Sequence, residues 1–170
     1  MKVQFSGECA WSRVDIPVIE INDLNKEESM EYLINIRKIK FEEAEKLYDL
    51  VGGRILNLKS IADKSLKGFS FENIKELFFG TIYDNFEKAE MNTGQENHEA
   101  AKIIIKILLN SNNTLHVSML RELTKMEPNK LLKYNIFAYH SRNKTVTFQS
   151  RLVEYYIQEN ANKFIKKAWL

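Results

Sequence analysis

Thiols, histidines and long apolar runs are scarce in this sequence of 170 residues. The one cysteine, Cys9, excludes an intramolecular disulfide, and three histidines with no second thiol leave no ligand set for zinc. The longest apolar stretch, IIIKILL, is interrupted by Lys106 and is too short to cross a membrane. Composition therefore indicates a globular chain with no metal site and no membrane span.

Several functional motifs are also missing. Neither G-x-x-x-x-G-K-[ST] nor G-x-G-x-x-G occurs, so the chain is not a complete P-loop NTPase. The stretch HEAAK begins like a metalloprotease helix, but Lys102 stands where the second histidine is needed. No catalytic residue is therefore assigned. The N-terminus also lacks a signal-peptide pattern, which predicts an intracellular protein of the cytoplasm or nucleus.

Charge is divided unevenly along the chain. Residues 1–90 carry 13 basic and 17 acidic side chains, whereas residues 91–170 carry 12 basic and 6 acidic ones. The net charge changes from −4 to +6 between these segments. This asymmetry predicts two units with different surfaces, of which the second is better suited to phosphate or to an acidic partner.

The first unit is predicted to be a helical bundle over residues 23–90. Asn25 and Glu28 have capping-box spacing, the next helices span residues 41–51 and 54–66, and Ser70 caps a fourth. The residues predicted to face the bundle interior include Phe41, Ile55, Leu58, Leu66, Ile74 and Leu77. Each helix is apolar on one side only, which is typical of a small all-α bundle. Before it, VDIPVIEIND predicts a short strand that stops at Asn22 and Asp23.

The second unit, residues 95–170, has another order of elements. Helices are predicted over 98–110, over LHVSMLRELTKM, and over PNKLLKY. Two strands then flank the turn SRNK, and Ser150 caps a last helix. This order of helices and hairpin is typical of a winged helix. The fold class predicted for the whole chain is mainly α, with a helical bundle followed by a winged-helix domain with a short β-hairpin.

Two glycines, Gly52 and Gly53, stand directly before Arg54 between two predicted helices. One interpretation is structural: the glycines form a sharp turn, with Gly52 as a left-handed C-terminal residue, and Arg54 faces solvent. The other is functional: the amides at the start of the next helix and the Arg54 guanidinium bind an anion together. The sequence leaves both interpretations open.

The stretch from VIEINDL to LKSIAD, residues 18–63, resembles the segment of AAA+ and STAND-type P-loop ATPases in which the last strand of the core leads into a helical lid. More closely, residues 11 to about 160 resemble the C-terminal part of fungal P-loop-containing NTPases. The stretches AWSR, VIEINDL, VGGRI and FAYH…TVTFQS…VEYYI are similar to fungal P-loop NTPases related to Crinkler-type and retrotransposon-hot-spot proteins. The resemblance implies that residues 1–22 are a remnant of an ATPase core, that 23–90 are the lid and that 95–170 are the winged helix.

The resemblance also implies a nucleotide site. Arg54 is similar in placement to the sensor-2 arginine, although it directly follows the glycines here, and Arg13 is a second candidate to face the nucleotide. Walker A and Walker B are absent, so the chain is expected to be a truncated or degenerate form without hydrolytic activity. ATP is expected as cofactor only if a P-loop core is present, and the expected partner is that core or another protein.

The alternative hypothesis is a nucleic-acid-binding or protein-interaction module. In DNA-binding winged helices the third helix enters the major groove and the hairpin touches the backbone. The residues that this hypothesis nominates are Asn129, Lys130, Lys133, Arg142 and Lys144.

Overall fold

The computed structural model describes residues 23–111, 113–124 and 132–164. Predictions that fall on residues 1–22, including the first strand and Arg13, lie outside these ranges. Asn129 and Lys130 also lie outside them, together with most of the predicted helix PNKLLKY. The other predicted site residues fall within the described ranges.

The first half of the described chain consists of helices. Helix α1 spans Lys26–Glu31 and continues as a π-helical turn over Tyr32–Ile36. Helices α2, α3 and α4 span Phe41–Val51, Ile55–Leu66 and Phe71–Lys88. The capping box of Asn25 and Glu28 is present, and the Ser70 side chain accepts a hydrogen bond from the Asn73 amide. The predicted helix starts are thus confirmed.

Some of the predicted interior positions are wrong. Phe41, Ile55, Leu66 and Leu77 are exposed, whereas Leu58 and Ile74 are fully buried. Phe41, Ile55 and Leu66 lie at the first or last residues of their helices, where the chain turns away from the core. Leu77 lies in the middle of α4, on the side that no described helix covers.

The second half combines helices with a small antiparallel sheet. Its elements are α5 His98–Asn110, β1 Leu115–His116, α6 Val117–Thr124, β2 Phe137–His140, β3 Thr145–Phe148, α7 Arg151–Glu159 and α8 Ala161–Phe164. The strands are ordered β1-β3-β2, so β3 is central. The predicted fold class, mainly helical with a small β-hairpin, is confirmed.

One boundary needs correction. Leu115 and His116 were expected to begin a helix, but they form β1 and pair with Val146 and Thr145 of β3. The Val117 amide then donates to the Lys144 carbonyl at 2.9 Å, so the helix begins only after this pairing ends. Pairing with a strand about thirty residues later overrides the local helical preference.

Helix α7 joins the two halves of the chain. It packs against α2 and α4 as well as β3 and α8. Tyr156 of α7 meets Phe79 of α4 edge-on, with 5.1 Å between ring centroids, and packs on Phe86 at 5.8 Å. The buried side chains of the two halves therefore form one continuous hydrophobic core. The sequence instead predicts a domain boundary at residues 91–94. The division into a lid and a winged helix stays a prediction.

Candidate functional site

The turn between α2 and α3 requires a glycine at position 52. Its amide donates to the Tyr48 carbonyl at 2.7 Å, which ends α2, and its φ of +66° lies in the left-handed region. A Cβ on this residue would lie 2.8 Å from Cβ of Arg151 at the start of α7. Both the backbone conformation and the close approach of α7 therefore favour glycine. The predicted positive φ at the end of α2 is confirmed, but ψ is −156°, so Gly52 does not adopt the left-handed helical conformation that was predicted.

Position 53 requires glycine for a different reason. The Leu24 amide donates to the Gly53 carbonyl at 2.9 Å, which holds residues 23–24 against the turn. A Cβ at position 53 would lie 1.7 Å from the Leu24 carbonyl oxygen, far inside van der Waals contact. The glycine pair therefore allows two segments of backbone to cross closely.

Arg54 connects the same turn to the sheet. Its Nη1 atom donates to the backbone carbonyl oxygen of Gln149 at 2.6 Å, directly after β3. When the Gln149 side-chain amide is oriented with its oxygen toward Arg54, that oxygen also accepts hydrogen bonds from both Arg54 Nη atoms, each at 3.2 Å. The expectation that Arg54 simply faces solvent is wrong, because its guanidinium holds the end of the hairpin.

A groove of about 730 Å³ opens beside this corner. One wall is formed by the start of α3 and the other by the outer face of the hairpin and the start of α7. The residues that line it are Asp23, Leu24, Gly53, Arg54, Ile55, Leu56, Asn113, Ala138, Tyr139, His140, Thr147, Phe148, Gln149, Ser150, Arg151 and Glu154. Leu56 and Tyr139 keep 71% and 45% of their surface exposed, so part of the groove is apolar and accessible.

Charges of both signs surround the groove. Arg151 pairs with Glu154 at 3.4 Å, and Glu154 also accepts from Asn113 Nδ2 at 3.3 Å. His140 Nε2 lies 2.9 Å from the Thr147 hydroxyl on the neighbouring strand. These polar side chains hold one another in place. The groove is thus a surface of mixed charge, and the Arg54 guanidinium at its edge is held by the Gln149 carbonyl.

Away from the groove, some side chains of the described residues have displaced pKa values. The Arg37 guanidinium lowers the pKa of the Asp63 carboxyl by hydrogen bonding to it, and Asp63 raises the pKa of Arg37 in return. The Glu159 carboxylate raises the pKa of Lys75, while burial raises the pKa of Tyr156. Each of these groups joins secondary-structure elements, so the displaced values reflect packing and ion pairing within the fold.

The structure brings together only some of the predicted site residues. Gly53 and Arg54 line one corner of the groove, and Gly52 directly precedes them in the same turn. Arg142 and Lys144 are exposed in the turn between β2 and β3, and Lys133 is exposed with its Nζ 5.4 Å from the Tyr134 ring centroid. Arg13, Asn129 and Lys130 lie outside the described residues.

Sequence reasoning missed Gln149 and Arg151. They are 95 and 97 positions after Arg54 and carry no motif, so only the packing of α7 reveals them. Within the described ranges, no three histidine, cysteine or carboxylate side chains converge as metal ligands, and no helix is long and apolar enough to cross a membrane.

Comparison with known proteins gives no match. No protein-family model matches the chain, and neither curated proteins nor solved structures include one that is significantly similar to it.

Proposed function

We propose that this chain is the regulatory lid and winged-helix portion of a P-loop ATPase, without hydrolytic activity of its own. One observation carries the proposal: Arg54, at the corner expected to face nucleotide, donates to the Gln149 carbonyl at the end of the hairpin. A displacement of the α2–α3 corner is thereby transmitted directly to the hairpin. Such a contact is what a lid needs if it relays the state of a nucleotide-holding core.

The groove beside Arg54 offers a docking surface for the P-loop ATPase core that the chain lacks. Asp23 and Leu24, which line it, directly follow the segment expected to be a core strand. Ile55 and Leu56 present apolar surface at the same edge, and such surface in a groove is typical of a protein contact. The core is therefore proposed to seat against the start of α3, with the phosphates of ATP near Arg54.

The order of elements after residue 97 supports the winged-helix part of the proposal. Among the described elements, helix α5 is followed by the short strand β1, by α6 and then by the β2–β3 hairpin. Strand β1 pairs with β3, so the hairpin is anchored to the preceding helices rather than projecting alone. A hairpin fixed in this way can transmit movement to a neighbouring surface.

Site-specific photocrosslinking in cells that naturally express the chain tests the proposal. A benzoylphenylalanine residue replaces Leu56 in the groove, and in a matched control it replaces Ile103, which is exposed on α5 outside the groove. The Leu56 probe is expected to crosslink a polypeptide segment that carries Walker A and Walker B, and the Ile103 probe is not. Crosslinking at Leu56 only to segments without a P-loop would overturn the proposal.

The basic hairpin turn favours nucleic-acid binding as a second candidate function. Arg142 and Lys144 are exposed there and make no ion pair with any carboxylate in the described ranges, as is also true of Lys133. If these three side chains contact phosphates, binding to duplex DNA falls with salt at a logarithmic slope of about −3. Fluorescence anisotropy measures this slope. Arg142→Ala then lowers its magnitude by about one, whereas the control Lys46→Ala on α2 leaves it unchanged.

A further inference from the structure

A second groove, of about 550 Å³, runs along the outer face of α4. Its lining residues are Phe69, Asn73, Glu76, Leu77, Gly80, Thr81 and Asp84. Phe69 and Leu77 keep 42% and 48% of their surface exposed, although both side chains are large and apolar. The groove lies on the opposite side of α4 from the buried residues Ile74, Ile82 and Phe86. It is separate from the groove beside Arg54.

The spacing of the lining residues matches that of a helix-packing seam. Asn73, Leu77, Gly80 and Asp84 follow one another at intervals of four, three and four residues. Alternating intervals of this kind keep one stripe of a helix facing a second helix. The stripe is about 16 Å long, since each residue adds 1.5 Å along the axis. An occupant that follows the stripe is therefore a helix of about three turns.

Gly80 stands at the centre of this stripe. Glycine is unfavourable inside a helix, and no contact among the described residues requires it here, because a Cβ at this position would meet no heavy atom within 4 Å beyond its chain neighbours and the backbone of its own helix. A missing side chain at the middle of an exposed stripe lets a second helix approach the backbone closely. The position therefore suits an intermolecular contact in which a large apolar side chain fills the space above Gly80.

The charges beside the stripe indicate which kind of helix fits. Glu76 and Asp84 lie one turn before and one turn after Gly80, and both are exposed. Neither forms an ion pair with another residue of the described ranges. Two acidic side chains on either side of an apolar centre complement a helix with basic residues one turn on each side of an apolar one.

We propose that the outer face of α4 binds a basic amphipathic helix of a partner protein. A large apolar side chain of that helix seats above Gly80 and against Leu77, and flanking lysines or arginines face Glu76 and Asp84. A second copy of α4 is a poorer occupant, because its own carboxylates would face those of the first.

Titration of the ¹⁵N-labelled chain with model peptides tests this proposal. The probe is an 18-residue amphipathic helix of leucine and lysine, and its matched control is the same helix with glutamate in place of lysine. The lysine peptide is expected to shift the amide signals of Leu77, Gly80, Thr81 and Asp84, whereas the glutamate peptide is not. Absence of binding by the lysine peptide, equal binding of both peptides, or shifts that map elsewhere would each overturn the proposal.

Two substitutions distinguish docking from adhesion of a cationic peptide. Gly80→Leu fills the gap, and we expect it to weaken binding of the lysine peptide at least tenfold while the circular dichroism spectrum stays unchanged. Asp84→Lys is expected to weaken it similarly, whereas Glu96→Lys makes the same change in net charge outside the groove and leaves binding unchanged. Equal losses in Asp84→Lys and Glu96→Lys would show that only net charge matters and would refute the site.

Discussion

The Arg54 guanidinium donates to the backbone carbonyl of Gln149 across 95 positions of sequence, with 2.6 Å between Nη1 and the oxygen. The same corner brings Gly52 against Arg151 and Gly53 against Leu24. The turn G-G-R is thus a joint at which three distant segments of backbone meet. Its glycines are explained by close packing, and its arginine by a hydrogen bond that holds the hairpin to the helical bundle.

Removing the Arg54 side chain is expected to loosen this joint. A hydrogen bond from a charged donor contributes about 1.5–3 kcal/mol, and Arg54 is partly exposed, so Arg54→Ala should lower the free energy of unfolding by about 1.5 kcal/mol. Urea denaturation measures the loss. Hydrogen exchange should accelerate over residues 145–149 in this variant, but not in the surface control Lys133→Ala. Unchanged exchange in Arg54→Ala would show that the bond does not hold the hairpin.

Gly53→Ala and Gly80→Ala are predicted to have opposite effects on stability. A methyl group at position 53 collides with the Leu24 carbonyl, and we expect a loss of about 2–3 kcal/mol. At position 80 the methyl group meets open space within a helix, and the gain should be about 1 kcal/mol. Thermal and urea unfolding of the two variants test the pair. A stable Gly53→Ala protein would mean that residues 23–24 do not cross the turn as described.

The ion pair between Arg37 and Asp63 makes stability depend on pH. The pKa of Asp63 is lowered in the folded chain, whereas in the unfolded chain this carboxyl has a pKa of about 4. The folded state therefore binds this proton less readily. The stabilisation is present above about pH 4 and is lost as the pH falls through the folded pKa.

Asp63→Asn tests this linkage by urea denaturation between pH 3 and pH 7. The variant should be less stable than the parent chain at pH 6, and the difference should shrink below about pH 4. Asp84→Asn, whose carboxylate has no ion pair in the described ranges, serves as control. A difference that does not change with pH would exclude the ion pair as its cause.

Lys75 is expected to stabilise the contact between α4 and α7 mainly through its packing. Its Nζ lies 2.9 Å from the Glu159 carboxylate and about 5.5 Å from the ring centroids of Phe79 and Tyr155. Lys75→Ala should cost about 1 kcal/mol, because both ring contacts are lost. Glu159→Gln should cost at most about 0.5 kcal/mol, since that carboxylate is half-exposed. If urea denaturation gave equal losses of unfolding free energy for the two variants, the ion pair with Glu159 and not the ring packing would stabilise the contact.

Local signals in the sequence were sufficient for most helices. Helix α2 begins at Phe41 and ends at Val51 as predicted, because its apolar period is regular and Gly52 stops it. Asn25 and Ser70 fix the starts of α1 and α4 through bonds within their own first turns. Leu115 was misassigned to a helix, because a strand of two residues has no period and exists only through its pairing with Val146.

The tertiary contacts of the Gly52–Arg54 turn could not be predicted from the sequence. The sequence placed Gly52, Gly53 and Arg54 in one turn, since neighbours in the chain stay neighbours in space. It did not reveal what each one meets, because Leu24, Gln149 and Arg151 reach them only when α7 packs on α2 and α4. The starts of α1 and α4 and both ends of α2 are decided by short-range interactions, so the sequence determined them, whereas the start of α6 depends on the pairing of β1 with β3. The partner of Arg54 and the exposure of Leu77 are decided by long-range packing, which only the tertiary structure fixes.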